Sequence, residues 1–142
     1  MKILLIGASG QLGQTLIKTK PQNIEIIECN RSNIDLSNLE LINDFILSSN
    51  ANFVINSAAY TGVDKAELES ELAYQINAEA PNAISNAVSK TKGSLIHIST
   101  DFVFDGTKNL PYKPKDYVKP LGIYGKSKAK GEEYVLKFKN NY

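Results

Sequence analysis

Four consecutive apolar residues, Ile3-Leu4-Leu5-Ile6, run straight into a loop with glycine at positions 7, 10 and 13. So short a run with no polar face suits a strand buried on both sides of a parallel sheet. Gly7 permits a tight turn off the strand, Gly10 lets a diphosphate approach the backbone, and Gly13 lets the next helix lie close to the strand. That helix is expected to begin near Gln11. Its unpaired N–H groups and the positive end of its dipole then face one point, where an anion is expected. Taken alone, the spacing suits an ordinary strand–turn–helix connection equally well.

The 142 residues are one domain by length, spanning 1–142, and large enough to bury a core. A net charge of +1 gives no electrostatic case for nucleic acid or a membrane surface as partner. The single cysteine, Cys29, excludes an internal disulfide and a cysteine-based zinc site, and fits a reducing compartment. The opening apolar run is too short for a spanning helix and is broken by Gly7 and Gly10. A cytoplasmic location and no metal are expected.

Along the chain, Leu12, Leu16 and Ile17 share a helical face, and Lys18, Lys20 and Pro21 end that helix. Ile24, Ile26 and Ile27 give a second strand. It leads to Asn30 and Arg31, where a dinucleotide-binding fold often places an acidic residue for the ribose. Ile34-Asp35-Leu36 reads as a very short strand or an extended bend. Ser37 and Glu40 predict a capping box for a helix burying Leu39, Ile42, Phe45 and Ile46. Phe53 to Asn56 is a third strand, emptying into Ser57-Ala58-Ala59. These small side chains leave room either for a flat ligand or for close helix packing.

A helical region is predicted from Asp64 to Lys90, with Leu72, Ile76, Ala80, Ile84 and Val88 repeating every four residues. Pro81 predicts a kink or break near Asn77. Leu95 to Ile98 is a fourth strand ending in Ser99-Thr100-Asp101; a loop rich in Pro, Lys and Gly covers Gly106 to Pro120, and a last helix covers Leu121 to Phe138. Alternation throughout implies an α/β fold: a Rossmann-like, doubly wound parallel sheet in three layers, with ligands beyond the carboxyl ends of the strands. Gly7 to Gly13, Asn30, Ser57 to Tyr60 and Ser99 to Asp101 all fall at those ends.

Tyr124 and Lys128 stand four apart in the last helix and share a face, about 6 Å apart along its axis. A phenol ionises unaided only near pH 10, and a neighbouring ammonium stabilises its phenolate. A partly buried tyrosine beside a solvated lysine is the plainer account of such a pair. Here, however, the glycine loop and Thr100 precede it in the order that a reductase of this architecture needs.

With these residues the chain resembles the extended, sugar-nucleotide type of short-chain dehydrogenase/reductase. Three longer strings narrow the resemblance: Asn56-Ser-Ala-Ala-Tyr-Thr-Gly-Val-Asp-Lys-Ala-Glu67, His97-Ile-Ser-Thr-Asp-Phe-Val-Phe-Asp-Gly106, and Tyr124-Gly-Lys-Ser-Lys128 with Gly131-Glu132. Together they are similar to the dTDP-4-dehydrorhamnose reductase family, over essentially the whole chain.

The resemblance implies NADPH-dependent reduction of the C4 ketone of dTDP-4-dehydro-L-rhamnose to dTDP-L-rhamnose. It implies Tyr124 as general acid, Lys128 beside it and on the nicotinamide ribose, and Thr100, with Asp101 adjacent, against the substrate carbonyl. It also implies a cofactor site of Gly7, Gly10, Gln11, Leu12 and Gly13 at the diphosphate, Asp35 and Leu36 at the adenine, and Ala58, Ala59, Tyr60 and Thr61 toward the nicotinamide. A dTDP-sugar substrate and a homodimer are the expected partners.

This chain departs from the family at two points. Asn30-Arg31 replaces the Asp that many relatives carry; without that carboxylate a 2′-phosphate is not repelled, and a guanidinium pairs with one. NADPH is therefore expected over NADH, which remains the alternative cofactor, and an Arg31 pointing into solvent is the plainer account. The chain also stops soon after the Tyr124 helix, where the family continues into a region that closes over the sugar nucleotide. Weak or absent turnover is expected of these 142 residues alone.

A catalytically silent NAD(P)-binding regulatory module, and an epimerase or dehydratase of the same superfamily, stay open as alternatives. His97 is expected in or near the core with nothing in the sequence to pair with it. Asp64, Lys65, Glu67, Glu69 and Glu71 read as a solvated helix start. Asn77 suits either a water-ordering role near Tyr124 or a helix kink.

Overall fold

A computed structural model of the chain describes residues 1–138 and 141–142. Strand β1 (Lys2–Ile6) is flanked by β2 (Glu25–Cys29) on one side and β3 (Phe53–Asn56) on the other, with β4 (Ser94–His97) beyond β3. Every pairing is parallel, and the register aligns Leu4 with Ile27 and Val54, and Val54 with Leu95. Alternate residues therefore form rows on each face. On one face Leu4, Ile6, Cys29, Val54 and Leu95 meet three helices: α2 (Glu40–Ser49) through Ile42 and Ile46, α5 (Ala80–Ser89) through Ile84 and Val88, and α6 (Ile123–Val135) through Val135. Each fully buried Leu or Ile of this cluster contributes about 1.5–3 kcal/mol. Ile3, Leu5, Ile26 and Ile55 turn to the other face, where Leu16 of α1 (Gln11–Thr19) joins them. Beyond β4, Tyr142 donates to the Leu95 carbonyl and accepts from the His97 N–H, so the last residues run parallel to that strand.

The doubly wound class stands; several local expectations do not. The Ser37–Glu40 capping box is absent: the Asp35 carboxylate takes both the N–H and the hydroxyl of Ser37, and Asn38 takes the N–H of Glu40. An Asx-type turn has outcompeted the box. Of the two readings of Ile34 to Leu36, the strand is absent: Ile34 and Asp35 are irregular and Leu36 opens a turn, with Ile34 and Leu36 buried. Leu12 is exposed instead of packing with Leu16 and Ile17, because it faces a cleft.

The region from 64 to 90 is not one helix. It is split into α3 (Val63–Ala66), α4 (Ser70–Tyr74), a π-helical turn (Gln75–Glu79) and α5. The expected distortion at Asn77 is thus a π-turn, whose extra residue rotates the apolar stripe: Ala80, Ile84 and Val88 are buried while Leu72 is partly exposed. Helix α6 starts two residues later than expected because Gly122 is its N-cap. Among the described residues no helix is long and apolar enough to cross a membrane.

Candidate active site

The glycine loop is built as its spacing suggests, for reasons that differ by position. Gly7 has φ +84°, and a Cβ there would lie 2.7 Å from the Ala58 nitrogen. A Cβ on Gly13 would lie 2.3 Å from the Gly7 carbonyl oxygen, so α1 sits directly against the loop. Gly10 is different: a Cβ would meet only the Gly7 oxygen, at 3.3 Å. As the N-cap of α1 it offers no side chain to the helix, which leaves the first-turn N–H groups available to a ligand.

These groups open into a cleft of about 550 Å³ at the carboxyl ends of β1, β2 and β3. Gly7, Gly10, Gln11 and Leu12 form one wall; Asn30, Arg31, Asp35 and Leu36 form a second; Ala58, Ala59 and Thr61 form a third. Ser9 and Ser57, within the segments expected at the strand ends, also line it, as do Ile34 and Ile76, which were not expected there. Gly13 lies behind the wall as a packing residue. Tyr60 is turned aside, its hydroxyl donating to Glu69 Oε2 at 2.5 Å.

The start of α1 and Asn30 both border the cleft, and Asn30 Oδ1 is buried with no hydrogen-bond partner among the described residues. Arg31 is exposed at this rim. The Ser37 N–H and hydroxyl hold the Asp35 carboxyl below the usual range, with the Arg31 charge adding to that.

Thr100, Asp101, Tyr124 and Lys128 come together beside this cleft and outside its lining. Thr100 Oγ1 accepts the Phe102 N–H at 3.3 Å, capping a 3₁₀ turn over Asp101–Val103, and donates to Asp101 Oδ1 at 3.2 Å. Helix α6 docks onto that turn so closely that a Cβ on Gly125 would be 2.2 Å from the Phe102 oxygen. The Tyr124 ring meets Phe102 edge-on, with centroids 5.5 Å apart. Lys128 is only 2% exposed, and its Nζ donates to the Ile98 carbonyl at 2.6 Å. Burial pulls Lys128 down to about 8, against the opposing charge of Glu132.

Several residues hold this half in place that the sequence did not single out for the role. Glu67 Oε1 accepts the N–H of Ile123, and Glu132 accepts from the Ser99 hydroxyl. Glu67 and Glu69 are therefore bonded, not merely solvated. Asn77, in the π-turn, accepts the Tyr60 N–H at 2.8 Å and donates to both the Tyr60 carbonyl and Ser127 Oγ at 3.0 Å. Ser127 in turn donates to the Tyr124 carbonyl. His97 is not unpartnered: its ring lies between the Asn56 amide and Lys128.

A family model described as the RmlD substrate binding domain matches residues 1–142. The chain belongs to this family. Among relatives of the RmlD family, the dTDP-4-dehydrorhamnose reductase of Aggregatibacter actinomycetemcomitans is 41% identical over 137 residues, covering 95% of this chain and 47% of that protein. The crystal structure of a dTDP-4-dehydrorhamnose reductase from Clostridium acetobutylicum superposes with a TM-score of 0.96 at 40% identity, over 100% of this chain and 51% of that one. The enzyme of the same name from Bacillus anthracis, in complex with NADP, gives 0.93 at 32% identity, over 99% and 51%. The chain therefore spans about half the length of these RmlD relatives.

Proposed function

We propose that residues 1–142 are the NAD(P)-binding, Rossmann-like domain and N-terminal portion of a longer NADPH-dependent reductase. Its reaction is reduction of the C4 ketone of dTDP-4-dehydro-L-rhamnose to dTDP-L-rhamnose. The observation that carries this reading is the cleft bordered by the start of α1, Asn30 and Arg31 at the carboxyl ends of the strands, with Thr100, Tyr124 and Lys128 on the neighbouring segments. The first-turn N–H groups of α1 suit a diphosphate, and the unpartnered Asn30 Oδ1 suits a ribose hydroxyl. Arg31 at the rim suits a 2′-phosphate, and the B. anthracis relative holds NADP.

When bound, the reduced nicotinamide supplies hydride to the ketone carbon. Tyr124 gives its phenolic proton to the oxygen on which negative charge develops. Lys128, whose ammonium already points at the strand end through Ile98, is the cation of the site. Thr100 Oγ1 is held by the Phe102 N–H, and its proton is free to leave the Asp101 carboxylate for the substrate carbonyl oxygen. The family likeness favours a reductase over a silent binding module, since Thr100, Tyr124 and Lys128 stand together with their supports. Turnover by these residues alone is expected to be weak or absent, because they span only about half the length of the reductases they resemble.

The decisive experiment is calorimetric titration of the folded chain with NADPH and with NADH, followed by single-turnover assay on the dTDP-keto sugar with deuterated NADPH. Micromolar binding with preference for NADPH, and deuterium found only at C4 of the product, support the reading. A folded chain that binds neither nucleotide overturns the assignment of the cleft.

A further inference from the structure

At the ends of β3 and β4 a polar pair, Asn56 and the half-buried His97, lies beside Lys128. Asn56, at the end of β3, is fully buried, and its Oδ1 accepts the Ala58 N–H at 3.2 Å. That contact orients the amide so that Nδ2 faces the His97 ring, 3.2 Å from Nδ1. An amide NH₂ only donates, so Nδ1 is the acceptor and a neutral ring carries its proton on Nε2. Nε2 stands 3.5 Å from Lys128 Nζ. Helix α6 closes over the same ring edge, since a Cβ on Gly131 would lie 3.5 Å from Nε2.

We propose that His97 is a positioning residue for Lys128: Asn56 fixes its ring as the Nε2–H tautomer, so the ring shows the lysine a donor and directs the amine toward the Ile98 carbonyl and the end of the sheet. The ring gives an ammonium no acceptor, and the 2.6 Å bond to Ile98 takes its place. The same N–H favours the uncharged amine, whose lone pair accepts it. The ring itself stays neutral, because burial and the Lys128 charge push it down to about 3. The groups bearing on the amine are the His97 ring from β4 and, on α6, Glu132, which favours the charged form, with Tyr124 one turn earlier. That Lys128 serves a reductase rests on the function proposed above; the tautomer and its effect on the amine do not.

Two-bond ¹H–¹⁵N correlation spectra of the 142-residue chain report the tautomer directly. The titration midpoint of Lys128 follows from ¹³Cε-lysine labelling, with its resonance assigned by loss in Lys128→Arg. The expected result is a neutral Nε2–H ring through pH 5–8, and a Lys128 midpoint that rises by about one pH unit in His97→Phe. Phenylalanine keeps the bulk and the burial, so a purely packing role leaves the midpoint unmoved. An Nδ1–H ring or an imidazolium at neutral pH overturns the proposal, as does an unchanged midpoint in folded His97→Phe. Should that variant fail to fold for want of an acceptor for Asn56, the tautomer in the unmodified chain decides alone. Failure to bind NADPH would strike the reductase reading and leave both spectra interpretable.

Discussion

Glu67 Oε1 accepts the backbone N–H of Ile123 at 2.7 Å across 56 positions of sequence, and so caps the helix that carries Tyr124. Gly122, the N-cap, has no side chain for the task, and a Cβ there would lie 2.8 Å from that same oxygen. A borrowed carboxylate also meets the positive end of the α6 dipole. Replacing Glu67 with Ala is expected to destabilise the chain by about 1 kcal/mol, and with Gln by less than half of that, since the amide oxygen still accepts. Urea midpoints check both; equal losses would mean that the cap is not what Glu67 contributes.

The glycines of the loop are expected to separate into two kinds. Gly13→Ala places a methyl 2.3 Å from the Gly7 oxygen and should cost about 3 kcal/mol or prevent folding. Gly10→Ala meets that oxygen only at 3.3 Å and should fold within about 1 kcal/mol of the parent. It should nonetheless lose most of its NADPH affinity, because the methyl occupies the approach to the α1 N–H groups. Thermal melts and calorimetry on the pair test the distinction.

Arg31 is exposed, so its pairing with a 2′-phosphate is screened and modest. Arg31→Ala is expected to lower the NADPH/NADH affinity ratio by about fivefold, equivalent to about 1 kcal/mol, with the drop shrinking at high salt. An unchanged ratio would remove Arg31 from the cofactor site.

Acid should destabilise the fold through His97. Burial takes its pKa from 6.5 to about 3, so between those values the unfolded chain binds a proton that the native ring refuses. Stability through this group therefore rises from pH 3 to 6.5 and is lost on acidification through the same window, by a few kcal/mol. Lys128, lowered from 10.5 to about 8, acts with the same sign at higher pH: stability rises between 8 and 10.5, where the native amine is neutral and the unfolded one charged. Urea unfolding from pH 4 to 6.5 should show a shallower slope in His97→Phe than in the parent; parallel slopes would exclude His97 as a contributor.

What the sequence made legible was whatever depends on neighbours. The Ile3–Ile6 run, the loop glycines and the Pro81-linked distortion at Asn77 all arise within a few residues, and the structure places each where the chain predicts it. The Ser37–Glu40 box failed because Asp35, two residues upstream, reached the serine first. The four-residue repeat from Leu72 to Val88 misjudged the buried face because a π-turn shifts its phase midway. His97 and Glu67 were unreadable for another reason: their partners stand 31 to 56 positions away, and only the crossovers of the sheet bring them close.

The amide of Asn77 has its oxygen and both its hydrogens engaged, two of these three bonds on Tyr60 and the third on Ser127. A sideways slip of the Tyr60 loop relative to α6 would strain bonds on both sides of this one buried group at once. The Tyr60 loop and α6 are thus held to one spacing, like two parts drilled through a common jig.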